Sequence, residues 1–233
     1  MSEAALIPST GTVARPPIAV APTPPTSLIN RIINADCLDI LPELPSRSID
    51  FVFTDPPYLT RYRDRSGRTV VGDAQSSWLK PAFAQIYRVL KDHRFCVSFY
   101  GWSKVDQFFA AWRAAGFCPV AHLVWAKCYA SCQRYVDYHH EQAYVLAKGR
   151  PELPSIRLPD VLTWQYTGNR LHPTQKPVSG LMPVVHTFSR PGEVVLDPFC
   201  GSGSTLVAAQ SLGRRYIGIE IDAEHTKVAQ ARL

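Results

Sequence analysis

The sequence predicts an α/β protein with one mostly parallel, doubly wound sheet that carries helices on both faces. Short apolar runs alternate with segments of helical spacing, which is typical of parallel strands joined by helical crossovers. Two of these runs end abruptly in turn residues, as strands do at the edge of a sheet. With 233 residues, of which 46% are hydrophobic and 19% are charged, the chain is large and apolar enough for one packed domain.

Each element follows from its local pattern. Apolar runs rich in β-branched and aromatic residues predict strands at 29–34, 50–54, 95–100, 120–125, 143–147, 193–197 and 216–220. Helical spacing predicts helices at 76–90, 103–115, 176–189, 203–212 and 223–232. The strands at 120–125 and 143–147 are expected to form an antiparallel hairpin at one edge of the sheet.

Three segments lack this periodicity. Residues 1–27 are rich in Pro, Ala, Thr and Ser, which predicts a flexible tail before a folded domain of residues 28–233. Residues 59–75 predict an exposed basic loop. Residues 148–172 are Pro-rich and polar and predict an irregular segment.

Composition narrows the functional classes. No run of about 18 apolar residues occurs, and the first residues do not resemble a secretory signal, so we expect no membrane association. Six cysteines without a disulfide-like spacing indicate reduced thiols in a cytoplasmic protein. The net charge of +6 and the isoelectric point near 9.1 favour a polyanionic partner, although a mildly basic enzyme would have the same values.

The first motif is Asp55-Pro56-Pro57-Tyr58, which directly follows the apolar run 51–53. Two prolines cannot continue a strand, so the chain must turn there. Asp55 and Tyr58 would then project from the carboxyl end of a buried strand, where open α/β sheets bind ligands. Taken alone, the motif is equally compatible with an ordinary turn.

The second motif runs from Asp197 to Thr205 with the sequence DPFCGSGST, after the apolar run 194–196. Gly201 and Gly203 allow the backbone to approach a ligand closely, and a helix is expected to begin at about Ser204. Glu220 ends the next strand, roughly 20 residues beyond the glycines, which is suitable for hydrogen bonding to ribose hydroxyls. The arrangement predicts a nucleotide-type pocket.

Taken together, these motifs resemble those of the DNA amino-methyltransferase family, which methylates adenine N6 or cytosine N4. The catalytic motif precedes the cofactor loop, an order similar to the permuted β group of that family. Two further elements agree with the resemblance: His172-Pro173-Thr174-Gln175-Lys176-Pro177 is similar to the family's H-P-T-Q-K-P segment, and Asn34-Ala35-Asp36-Cys37 to its amino-terminal element. The resemblance implies a Rossmann-like methyltransferase fold and S-adenosylmethionine as the cofactor.

The resemblance also assigns roles to residues. Asp55 and the Pro56 carbonyl would accept the two hydrogens of the target amine, and Tyr58 would stack on the base. Glu220 would bind the cofactor ribose, Asp36 and Cys37 its adenine, and Thr174 and Lys176 its methionine end, although Lys176 could instead lie at the surface. The cofactor loop would contribute Asp197, Pro198, Phe199, Gly201, Ser202, Gly203, Ser204 and Thr205.

Double-stranded DNA is the expected partner. A base inside a duplex must be flipped out before its amine can enter a buried pocket. Arg61, Arg63, Arg65 and Arg68 follow the catalytic motif closely and, with Arg134, are candidate DNA contacts. Only about 25 residues stand where relatives carry a large recognition domain, which favours a short target or a homodimer. A small stand-alone modifier of bacterial, phage or plasmid origin is expected.

Several alternatives remain open at the level of sequence. Asp at position 55 favours adenine over cytosine, because serine is more usual in the cytosine enzymes of the family. An RNA or a protein glutamine amide is a further alternative substrate. A metal site at Cys128, Cys132, His139 and His140 is not expected, because the spacing is irregular.

Overall fold

The computed structural model describes residues 22–63, 67, 69–130, 135–166 and 175–233. These residues form one sheet of eight strands in the order β1-β8-β7-β2-β3-β5-β4-β6. The strands are β1 (Arg31–Asn34), β2 (Phe51–Thr54), β3 (Arg94–Phe99), β4 (Cys118–Lys127), β5 (His140–Lys148), β6 (Val161–Trp164), β7 (Val194–Asp197) and β8 (Arg215–Glu220).

The helices are α1 (Cys37–Ile40), α2 (Leu79–Val89), α3 (Val105–Ala115), α4 (Val178–Phe188), α5 (Ser204–Ser211) and α6 (Ala223–Gln230). Short 3-10 turns occupy Thr26–Leu28, Leu41–Glu43 and Trp102–Lys104. Helix α2 presents Leu79, Phe83 and Ile86 to the core at the spacing that the sequence predicts.

Two separate cores lie on the two faces of the sheet. Val52 and Leu196 pack with α1, α2 and α3 on one face. Phe51, Phe53 and Val195 point to the opposite face and pack with α4, α5 and α6. Successive strand residues alternate between faces, so the continuous apolar strands β2 and β7 serve both cores. The doubly wound α/β prediction is confirmed.

The topology places the two sequence motifs side by side. Strand β2 pairs in parallel with β7, with Val52 opposite Leu196, although the two strands are far apart in the chain. Strand β8 pairs in parallel with β7, and β1 with β8. The carboxyl ends of these four strands therefore lie at one edge of the sheet, which is where each motif begins.

The hairpin end of the sheet differs in detail from the sequence prediction. Strands β4 and β5 form the expected antiparallel pair, but β6 pairs in parallel with β4 and is the outermost strand. Strand β6 lies within the segment 148–172, which was expected to be irregular. Its four residues alternate between exposed and buried positions, and so short a pattern between polar and proline residues gives little signal in the sequence.

The predicted tail, residues 1–27, lies mostly outside the described residues, which begin at residue 22. Within the described ranges, no helix is long and apolar enough to cross a membrane.

Candidate active site

A cavity of about 650 Å³ opens at the carboxyl edge of strands β1, β2, β7 and β8. Both sequence motifs contribute to its wall, together with the segment 69–75 and Trp78 from the chain before α2. The volume is within the range of small-molecule sites, and the carboxylates at the ends of these strands, Asp36, Asp55, Asp197 and Glu220, are among the groups that line it. The two distant motifs therefore form one site.

The loop after β7 is shaped by its two glycines. Gly201 and Gly203 have φ angles of 50° and 78°, which residues with a Cβ rarely adopt. The Gly203 amide donates to the Cys200 carbonyl at 2.7 Å, and α5 begins at the next residue, Ser204. The turn is closed tightly by its own backbone and brings the start of a helix to the cavity.

Asp197 holds the start of this loop through a hydrogen bond. Its buried carboxylate accepts a hydrogen bond from the Phe199 amide at 3.2 Å. Burial raises the pKa of Asp197 to about 7, although hydrogen bonds from the Thr205 hydroxyl and the Phe199 amide oppose the rise. Asp197 therefore acts mainly as a buried support of the loop.

Glu220, at the end of β8, joins two loops at the cavity wall. One carboxylate oxygen accepts from the Gly201 amide at 2.8 Å, and the other accepts from the Asp222 amide at 2.9 Å. Burial raises the pKa of Glu220, and the two backbone donors oppose this rise. Each oxygen keeps a further lone pair that can accept from a ligand hydroxyl.

Asp36 and Cys37 follow β1 and line the same cavity as the glycine loop. The Asp36 carboxylate caps α1 by accepting from the Leu38 amide at 2.8 Å. Burial raises the pKa of the Cys37 thiol to about 12, and the neighbouring Asp36 adds to the rise. The thiol is therefore neutral and contributes an apolar surface to the cavity.

The first motif forms a compact three-residue cluster with Lys176. The Tyr58 hydroxyl donates to one Asp55 oxygen at 2.8 Å, and the Lys176 ammonium contacts the other at 2.6 Å. The ammonium also lies over three aromatic rings, at 5.4 Å from the centre of Tyr58, 4.9 Å from Phe99 and 6.0 Å from Trp164. Lys176 is only 7% exposed, so the alternative of a surface lysine is wrong.

Burial shifts the pKa values of all three groups in the cluster. Burial raises the pKa of Asp55, and the Lys176 ammonium opposes that rise. Burial alone would lower the pKa of Lys176, but the carboxylates of Asp55 and Glu141 outweigh it and the pKa is raised. Burial and the adjacent Asp55 carboxylate raise the pKa of Tyr58 well above its usual value, so the phenol keeps its proton. The positive charge of Lys176 thus favours the ionised form of Asp55 in an apolar site.

The chain that leaves residues 55–58, named the catalytic turn for the role that the resemblance implies, is folded back on itself. Leu59 and Arg61 have positive φ angles of 61° and 56°, which are uncommon for residues other than glycine. The Asp73 carboxylate stabilises this conformation, because it accepts from the Thr60 amide and hydroxyl and from the Tyr62 amide. Asp73 is buried, although the segment 59–75 was expected to be an exposed loop.

Two residues of the site were missed in the sequence. Trp78 packs on Phe199 with ring centres 5.1 Å apart, and its indole N–H donates to the Gly72 carbonyl at 2.9 Å. Asp73 holds the loop after the catalytic turn. Neither residue belongs to a motif, and only their tertiary contacts, Trp78 with Phe199 and Asp73 with the start of its own loop, distinguish them from ordinary loop residues.

The remaining candidates fall into two groups. Arg61 and Arg63 are exposed on the segment after the catalytic turn. Thr174, Arg65, Arg68 and Arg134 lie outside the described residues. Within the described ranges, no group of three or more His, Cys, Asp or Glu side chains could hold a metal ion; Cys132 is outside them.

Comparison with known proteins agrees with this geometry. Residues 49–231 match a family described as DNA methylase. The chain is 54% identical to the YubD protein of Escherichia coli (strain K12) over 205 residues. This match covers 88% of this chain and 90% of that protein.

Two solved structures share the fold. The M1.HpyAVI–SAM complex has a TM-score of 0.70 at 23% identity and covers 87% of this chain and 98% of its own. The PvuII DNA methyltransferase, named as cytosine-N4-specific, has a TM-score of 0.72 at 16% identity and covers 87% and 85%.

Proposed function

The chain belongs to the DNA methylase family whose members modify N6 or N4 amines, and from that premise we propose that it methylates adenine N6 in duplex DNA with S-adenosylmethionine as the donor. The observation that carries the proposal is the cavity shared by Asp55 and the glycine loop. That arrangement allows a methyl donor and a base amine to meet beside one carboxylate.

The residues around the cavity fit S-adenosylmethionine. Gly201 lines the cavity and leaves the backbone free of a side chain beside the ligand, whereas Gly203 faces Ala229 of α6 and serves the packing of the loop. Glu220 offers acceptors for two ribose hydroxyls. Asp36 and Cys37 would flank the adenine ring of the cofactor. When bound, the cofactor supplies an activated methyl group on its sulfonium, so the protein mainly positions the acceptor amine.

Asp55 and the Pro56 carbonyl would activate the acceptor amine. An exocyclic amine is a weak nucleophile, because its lone pair is delocalised into the ring. Two acceptors that bind its hydrogens out of the ring plane would favour a tetrahedral nitrogen as positive charge develops. Such preorganised electrostatics contributes several kcal/mol, roughly 3–4 for one well-placed group.

Lys176 would keep Asp55 ionised for this role. A carboxylate in this buried position tends to take up a proton, and a protonated oxygen could not accept an amine hydrogen as well. The salt bridge at 2.6 Å opposes that protonation. Binding of the methionine end of the cofactor by Lys176 stays a prediction. The ammonium has three N–H donors, so it can bind the Asp55 carboxylate and the cofactor at the same time.

Tyr58 would stack on the flipped base. The Lys176 ammonium lies over the Tyr58 ring, and the hydroxyl is fixed on Asp55, so the ring is held in one orientation. A base would stack on the ring face opposite to Lys176, with its amine directed to Asp55. Exposed Arg61 and Arg63 would contact phosphates around the extruded nucleotide.

Adenine is favoured by Asp55, while cytosine N4 is the alternative. A solved neighbour with the same fold is named as cytosine-N4-specific, so the fold does not distinguish the two bases. Mass spectrometry of nucleosides from DNA treated with the protein and S-adenosylmethionine should detect N6-methyladenine. Detection of N4-methylcytosine without N6-methyladenine would reject the adenine assignment.

The role of Asp55 has a direct test. Asp55→Ala should abolish transfer of labelled methyl to duplex DNA while cofactor affinity changes little. Asp106→Ala, which alters an exposed carboxylate in the first turn of α3, is the matched control and should retain activity. Full transfer by Asp55→Ala would contradict the mechanism.

A further inference from the structure

A stacked aromatic pair, the exposed Trp102 and the half-buried Tyr138, lies beside the catalytic turn. Trp102 follows β3 and is 59% exposed, whereas Trp112 and Trp125 are fully buried. Its ring stacks on Tyr138 with centres 5.8 Å apart and planes inclined by 24°. An indole with one ring face in water loses the stabilisation that burial of its large apolar surface would give. Exposure of Trp102 therefore indicates a role other than core packing.

The pair is anchored to the catalytic turn through Gly101. A Cβ at Gly101 would lie 2.7 Å from the Tyr58 carbonyl oxygen and 2.9 Å from the Tyr58 Cβ, so the two backbones are in close contact. Trp102 is the next residue in the chain. Tyr138 lies two residues before the start of β5, which runs antiparallel to β3 and so begins at the edge of the sheet where β3 ends. The stacked pair therefore lies at the rim of the active site.

The surroundings indicate a nucleic acid as the occupant of this rim. Tyr135 and Val136 close by in the chain are also exposed, while Lys104 follows Trp102 within the same 3-10 turn. The chain carries a net charge of +6, which favours a polyanion over a neutral partner. Next to a site that extrudes a base, the neighbouring bases lose a stacking partner, and an exposed aromatic face can replace it.

We propose that Trp102, supported from behind by Tyr138, is a stacking platform for a DNA base adjacent to the extruded nucleotide. The inference rests on the proposed function and extends it to how the DNA is held. Stacking is tolerant of sequence because every base has an aromatic face, so the platform would add affinity without a large recognition domain. Tyr138 keeps the indole in the orientation that the stack requires.

The test compares variants at position 102 in binding to duplex DNA, followed by fluorescence anisotropy with a labelled plasmid fragment. Trp102→Ala and Trp102→Leu should raise the Kd about 5- to 150-fold, the range for loss of one base–aromatic stack. Trp102→Phe, which keeps an aromatic face, should remain within about threefold of the wild type. Affinity for S-adenosylmethionine should stay unchanged in all three, because the indole does not line the cofactor cavity.

Ile156→Ala is the matched control, because Ile156 is 60% exposed and precedes β6, the outermost strand, which β5 and β4 separate from β3. A Kd for Trp102→Leu equal to that of Ile156→Ala would overturn the proposal. So would equal weakening by Trp102→Phe and Trp102→Leu, since apolar packing and not stacking would then be at work. Sedimentation that shows wild-type dimers and monomeric Trp102→Leu would assign the surface to a second copy of the chain instead.

Different results would contradict the proposed function and the stacking platform. If the wild-type protein transfers no methyl group to DNA, the proposed function fails. If transfer occurs and the Trp102 variants bind DNA normally, only the stacking platform fails.

Discussion

Replacing Lys176 by methionine tests the electrostatic core of the site. The ammonium lies 2.6 Å from Asp55, and both side chains are largely buried. An opposite charge at such a distance lowers the pKa of a carboxyl by about 1–3 pH units. Without it, the pKa of Asp55, which burial already raises, should rise further. The change corresponds to roughly 1.4–4 kcal/mol in favour of the protonated carboxyl, which would be inactive in the proposed mechanism.

The assay is kcat/KM for methyl transfer to duplex DNA between about pH 5 and pH 9. In the proposed mechanism Asp55 acts as a carboxylate, so activity should fall as it takes up a proton, and the acidic limb of the Lys176→Met profile should move to higher pH by about 1–3 units. The free energy of unfolding should also fall more at high pH than at low pH, because only the ionised Asp55 is left without its partner.

Lys227→Met is the matched control for this experiment. Lys227 also forms a 2.7 Å ion pair, with Glu224, but both side chains are exposed. Its loss should leave the pH profile unchanged. An acidic limb that coincides in Lys176→Met and wild type would refute the assignment of Lys176 as the partner that keeps Asp55 ionised.

Three other changes probe the rest of the site. Glu220→Gln replaces the charged acceptor of the Gly201 amide and should raise the Kd for S-adenosylmethionine about 10- to 100-fold in calorimetry, since hydrogen bonds to a charged group contribute about 1.5–3 kcal/mol. Gly101→Ala places a Cβ 2.7 Å from the Tyr58 carbonyl oxygen, so the catalytic turn must shift and single-turnover transfer should slow about 100-fold. Burial raises the pKa of Asp197 from 3.8 to about 7, so between these values the folded chain keeps a proton that the unfolded chain has lost, and stability falls by about 4 kcal/mol as the pH rises. Asp197→Asn should abolish that fall in urea denaturation measured from about pH 4 to about pH 8.

Each of these expectations has a contradicting result. Unchanged cofactor affinity in Glu220→Gln would show that the charge does not support the cofactor loop. Gly180→Ala, whose added Cβ would meet its nearest atoms at 3.4 Å, controls for a methyl group at a buried glycine, and an equal loss of transfer there would remove the special role of Gly101. A pH dependence of stability that is the same in Asp197→Asn and wild type would contradict the raised pKa of Asp197.

Local sequence was sufficient for most of the fold. Each predicted strand and each longer helix is present within a few residues of its expected bounds, because period and turn residues are properties of neighbouring positions. Strand β6 was missed because four alternating residues carry too little signal. The four-residue helix α1 was missed for the same reason, since it is barely one turn long.

Sequence alone also identified both motifs of the site, because each is a strand end followed by residues that force a turn. Only the tertiary structure decided that β2 and β7 are neighbours and that their loops open into one cavity, since strand pairing depends on contacts between distant segments. The partner of Asp55 was decided in the same way. In the sequence Lys176 is one of many basic residues, and burial against three aromatic rings, which excludes water, turns it into the counter-ion of a carboxylate.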